Sequence, residues 1–175
     1  MFIGKGDASI KREAWLLKIA VVSCGNLLLG DDGVGPFVLD KLRKRKRIPP
    51  EVELIELGVR GIDLVDLIGK FDKVLIIDAF KSGGKVGDIC VLDYGELQHI
   101  PASPILTLHD LGLPTVLKLS EALYGNISSK VKVFGVEVDE VGKIRIGLTP
   151  NVKRGASEVA RLVEKEIAGL LGSRV

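Results

Sequence analysis

The chain has 175 residues, 46% hydrophobic and 27% charged, with a formal net charge of +2. That length suits one compact domain able to bury about two thirds of its unfolded surface, and the composition excludes the disordered and fibrous classes. So small a net charge gives no electrostatic basis for binding nucleic acid or an anionic membrane, and neither is expected as a partner.

Residues 1–13, MFIGKGDASIKRE, are polar and mixed, and read as an N-terminal extension of a single domain spanning 1–175. LLKIAVVS follows as a short β-branched strand. VGPFVLDKLRKR has helical spacing, with Val34, Phe37, Val38 and Leu42 on one face, and it ends in the basic run KLRKRKR, Lys41–Arg47. A solvated last turn whose cations complement the helix dipole accounts for that run more simply than a docking patch for an acidic partner. VELIEL is a strand, and GIDLVDLIGKF a helix with Ile62, Val65, Leu67 and Ile68 apolar. KVLIIDAF is nearly continuous in apolar residues, as a strand covered on both faces of a parallel sheet must be.

GGKVGDICVLDY comes too soon after it to leave room for a crossover helix, so it is expected to join antiparallel at an edge. LGLPTVLKLSEALYG is a further long helix and VKVFGVEV a further strand. In the last segment Thr149 is expected to cap, Pro150 to take the first turn, and Val152, Ala156, Val159, Leu162, Val163 and Ile167 to form the buried stripe. The alternation predicts a three-layer α/β/α sandwich around a mostly parallel, doubly wound sheet with an antiparallel edge strand.

Cys24 and Cys90 lie far apart with no CxxC spacing, and read as reduced thiols of a cytoplasmic protein. The apolar stretch Trp15–Cys24 contains Lys18 and is about half the length of a membrane span.

Ligands of such sheets bind beyond the carboxyl ends of the parallel strands, which singles out three loops: Cys24–Gly35, Asp78–Gly84 and Thr107–Gly112. The first, GNLLLGDDGVG, has the glycine spacing of a phosphate-binding loop but carries Asp31 and Asp32 where that loop needs lysine and a hydroxyl. Two carboxylates so near a triphosphate oppose its binding, and the glycines do not fall in dinucleotide-binding order either. One of the two acids can be a helix cap and the other solvated; equally, a carboxylate here can face a cation. Asp78 ends the apolar strand KVLIID, where its side chain either caps the next turn or enters the crevice. His109, just before the helix LGLPTVL, is either structural or a ligand, and His99, in a polar loop, has no assigned role. Asp, Asp and His together form an O/O/N set for a borderline divalent metal with open coordination positions.

GNLLLGDDGVGPFV after a strand, IIDA at the end of the third strand and LHDLGLPTVL opening a helix resemble, in this order and spacing, the hydrogenase maturation endopeptidases. The likeness runs from about Ile19 to the last helix and is greatest to the archaeal branch serving coenzyme F420-reducing hydrogenases. It implies a protease that removes the C-terminal extension of a [NiFe]-hydrogenase large-subunit precursor once nickel has been inserted. Its metal-binding and catalytic residues carry over as Asp32, Asp78 and His109. The nickel would be held by the precursor and bridged by the protease, with zinc or cadmium substituting in the isolated protein, which is expected to be a monomer. Two departures stand out: Gly135-Val-Glu-Val138 where many members have Gly-x-Glu-Pro, and Ser23 where glycine is frequent. The chain has no Gly-x-Ser-x-Gly elbow and no HExxH, so the parts of serine and ordinary zinc proteases are missing. The alternatives are a nickel carrier and a flavodoxin-like nucleotide-binding module, neither of them hydrolytic.

Overall fold

A computed structural model describes residues 17–45, 47–97, 105–106, 112–139 and 144–172. The N-terminal extension, His99 and His109 lie outside the described residues. Strand β1 (Ile19–Cys24) leads through a 3-10 turn (Gly30–Gly33) into helix α1 (Val34–Arg45). Strand β2 (Val52–Gly58), helix α2 (Asp63–Lys70) and strand β3 (Lys73–Lys81) follow. Beyond these come β4 (Ile89–Asp93), the one-turn α3 (Tyr94–Leu97), β5 (Ile105–Leu106), α4 (Leu113–Tyr124), β6 (Val131–Glu137) and α5 (Pro150–Gly172). The short α3 and β5 have no counterpart in the sequence reading.

The sheet runs β2-β1-β3-β6-β4, with β5 pairing antiparallel to the end of β3. β1, β2, β3 and β6 are parallel, and β4 joins β6 antiparallel at the edge as expected. Strand alternation divides the core. Val74 and Ile76 of β3 face the side covered by α2 and α4, whereas Leu75 and Ile77 face the side covered by α1 and α5. Three layers result, because β1 and β3 are apolar on both faces and need helices on each.

Two helix faces match the periodic reading at Val34, Val38, Leu42, Val65 and Ile68 and differ from it at their edges. Leu39 is fully buried in α1, while Phe37 is half-buried under the Lys41 ammonium. In α2 the inward position is Leu64, and Ile62, which stands at the cap, is exposed. The basic end of α1 is paired on the protein's own surface: Arg43 with Glu56, Lys44 with Asp40 and Arg45 with Glu164. No helix among the described residues is long and apolar enough to cross a membrane.

Candidate active site

From β1 the chain moves outward to β2 and then returns to the other side of β1 as β3, so the winding reverses between the carboxyl ends of β1 and β3. Such a reversal opens a crevice between loops that diverge to opposite faces. Helix α1 is seated there with almost no clearance: a Cβ on Gly35 would lie 2.2 Å from the Cys24 carbonyl oxygen and 2.8 Å from that of Ile77. Only a glycine permits this approach, and it presses the turn ahead of α1 onto the ends of β1 and β3.

That turn carries both acids of GDDG, and both are buried. Neither is a solvated residue or the cap of α1. Asp32 is 0% exposed, and its Oδ2 accepts a hydrogen bond from the Asn26 backbone N–H at 2.7 Å. Asp31 turns the other way. Its Oδ1 accepts from the Thr149 N–H at 2.6 Å, its Oδ2 from the Thr149 hydroxyl at 3.0 Å, and the Arg145 guanidinium stands 3.2 Å away. The Thr149 hydroxyl is therefore engaged with Asp31, and the first turn of α5 begins on the Thr149 carbonyl, which accepts from the Lys153 N–H. Asp31 ties the glycine loop to the start of α5, and Asp32 is the acid at the crevice.

Asp78 lies within β3, which continues to Lys81, but one residue beyond the last position paired with β1. It is fully buried, and its Oδ1 accepts from the Ala79 N–H at 2.8 Å. Strand parity puts it on the same side of the sheet as Cys24. The Cys24 thiol reports on the neighbourhood: burial, then the Asp78 carboxylate, then that of Asp32, push its pKa well above the ordinary 9.0. The two predicted acids thus converge on one point, the end of β1. No group of three metal-binding side chains occurs among the described residues, and the third predicted ligand, His109, is outside them.

Two residues at this edge escaped the sequence reading. The sequence marks Cys24 only as a reduced thiol, yet it lies beside both acids. A cysteine nucleophile needs a lowered pKa, so this environment is the reverse of an activated thiol. Glu137, at the end of β6, is 5% exposed and gathers the loop after β3. Its Oε1 accepts from the N–H groups of Ser82 (2.8 Å), Gly83 (2.8 Å) and Gly84 (3.0 Å), and its Oε2 from the Ser82 hydroxyl (2.8 Å). The signal was the one that singled out Asp78, an acid ending an apolar strand. The departure at Val138 also has a structural counterpart: its N–H donates to the Phe80 carbonyl at 2.8 Å, a bond that proline cannot make. A cleft of about 820 Å³ at the opposite end of the sheet, lined by Lys18, Glu51, Glu53 and Lys70 among others, contains none of these residues.

Fold and site together define a doubly wound α/β domain whose crevice is built around buried carboxylates and not around a phosphate cradle. The family model for hydrogenase maturation proteases matches residues 36–166, a span that includes Asp78 and begins just after Asp32. A relative from Methanocaldococcus jannaschii, assigned provisionally by its name to these proteases, is 35% identical over 88% of this chain and 94% of its own. The hydrogenase 2 maturation protease of Escherichia coli is 29% identical over 91% of this chain and 94% of its own. Among solved structures, the E. coli hydrogenase maturating endopeptidase HybD superposes with a TM-score of 0.73 at 29% identity, covering 90% of this chain and 94% of that one. The chain belongs to the hydrogenase maturation protease family, and it is a peptidase of that family.

Proposed function

We propose that this protein removes the C-terminal extension of a [NiFe]-hydrogenase large-subunit precursor after nickel insertion, and that Asp32, Asp78 and His109 recognise the nickel held by the precursor. The observation that carries the reading is the convergence of Asp32 and Asp78 at the switch point between β1 and β3. Two carboxylates with a histidine suit a borderline divalent ion and leave positions open for ligands from a second protein. Such a set is better fitted to bridging to a metal already held elsewhere than to closing around one of its own. The metal supplies a Lewis acid that polarises the scissile carbonyl or activates a water. The chain's own residues select and orient: the loop Asn26–Gly33 holds Asp32 in place through the Asn26 N–H, β3 delivers Asp78, and the protonated Cys24 adds no competing thiolate.

The test is cleavage of a large-subunit precursor with and without nickel, beginning with that of a coenzyme F420-reducing hydrogenase. The nickel-loaded precursor is expected to lose its tail and the nickel-free form to stay whole, with inhibitors of serine and cysteine proteases having no effect. Rapid cleavage of metal-free precursor in metal-depleted buffer would move the two aspartates to a direct acid/base role. Nickel release without cleavage would make the protein a carrier.

A further inference from the structure

Among the described residues, six of the ten exposed large hydrophobic side chains stand on loops at the carboxyl edge of the sheet: Leu27, Leu28, Val59, Ile62, Ile144 and Ile146. Single exposed apolar residues are ordinary, but a cluster on one edge marks an interaction surface. Ile144 and Ile146 are 91% and 87% exposed. They are nevertheless held in place, because Arg145 between them is tied at three points. Its N–H donates to the Leu28 carbonyl (3.0 Å), its carbonyl accepts from the Gly30 N–H (2.7 Å), and its guanidinium lies on Asp31. Arg145, itself half-exposed, lies in a bridge to Leu29 with its guanidinium laid toward Asp31, and its two neighbours project away from that contact. On the other flank, the Gly25 N–H bonds the Gly58 carbonyl, which sets the loop bearing Val59 and Ile62 against the glycine loop.

The rim is therefore built on the same turn that holds Asp32. We propose that it is the docking surface for the folded body of the hydrogenase large-subunit precursor, gripping the face from which the tail emerges; this rests on the functional reading above. Position selects this occupant. A second copy of the chain seated here would cover the mouth of the crevice and shut out any substrate, whereas a substrate must cover it to be cut. A metal contact and a few residues of tail offer little area, and protein complexes draw most of their affinity from a few buried apolar side chains.

The experiment measures binding of a [NiFe]-hydrogenase large-subunit precursor, carrying its C-terminal extension, to the full-length protease by biolayer interferometry. The double variant Ile144→Lys/Ile146→Lys is expected to raise Kd about a hundredfold or more, the cost of losing two buried isoleucines. Its Tm should be unchanged because both side chains are exposed, and KM for cleavage should rise with Kd while kcat at saturation stays constant. Leu123→Lys, on the exposed face of α4, controls for added charge and should bind as the wild type does. Equal affinity of the rim variant, or the same loss in the control, overturns the proposal. So does a wild-type dimer that the rim variant dissolves. Rim-dependent binding without cleavage of nickel-loaded precursor would defeat the protease reading alone; cleavage with rim-independent binding would defeat the docking surface alone.

Discussion

Replacing Asp32 by asparagine keeps an oxygen for the Asn26 N–H but removes the negative charge, so Asp32→Asn is expected to abolish cleavage with Tm changed by only a few degrees. Thermal melts and a cleavage assay on one preparation check this; a large fall in Tm with activity retained would make Asp32 a structural residue. Its neighbour should behave in the opposite way. Asp31→Ala strands the Thr149 N–H and frees the Arg145 guanidinium, for a loss of about 1–3 kcal/mol. In a domain of this size that corresponds to a Tm lower by roughly 2–12 °C. The two aspartates are adjacent and chemically identical. Their different duties come from what each meets: the turn's own Asn26 for one, and a residue 118 positions away for the other.

At the scale of elements, the seat of α1 on the sheet is the point on which the crevice depends. Gly35→Ala would put a methyl group 2.2 Å from the Cys24 carbonyl oxygen, so helix or strands must shift. The expected cost is about 3 kcal/mol, at the upper end for overpacking. Because the turn bearing Asp32 rides on α1, cleavage should also fall more steeply than in an equally destabilised core variant, a comparison made by activity well below Tm. Glu137 offers a second test. Glu137→Gln keeps Oε1 for the three amides of Ser82–Gly84, whereas Glu137→Ala leaves them without it. Amide exchange in that loop should quicken strongly in the alanine variant and little in the glutamine variant.

For the molecule as a whole, the buried Cys24 and half-buried Cys90 thiols set an alkaline limit. Burial raises Cys90 from 9.0 to about 11 and Cys24 well above 9.0. Between pH 9 and 11 the unfolded chain loses these protons while the folded chain keeps them, so the folded state binds more protons and stability falls as pH rises. Below pH 9 both states are protonated and the contribution is fully present. Unfolding by urea under reducing conditions should show this decline, and Cys24→Ala should flatten it even if the variant is less stable overall. An unchanged slope would mean that Cys24 is not held protonated.

The layer architecture was legible in the chain, because apolar runs that hide on both faces must be strands of a covered sheet, and their alternation with helical stripes dictates the winding. Asp78 stood out as a candidate for the same reason, but an acid ending such a strand can cap the next turn or enter the crevice, and the sequence does not choose between them. Periodicity places the centre of an apolar stripe but not its edges: Val34, Val38, Leu42, Val65 and Ile68 are buried as expected, whereas Leu39 and Leu64 widen the stripes and Phe37 and Ile62 fall at their margins. Nothing local separates Asp31 from Asp32, reveals that Cys24 sits beside two acids, or shows that Glu137 clamps Ser82–Gly84. Each of these follows from a contact between segments far apart in sequence. Such contacts form only once strand order and helix seating have closed the chain, and the tertiary structure decided them.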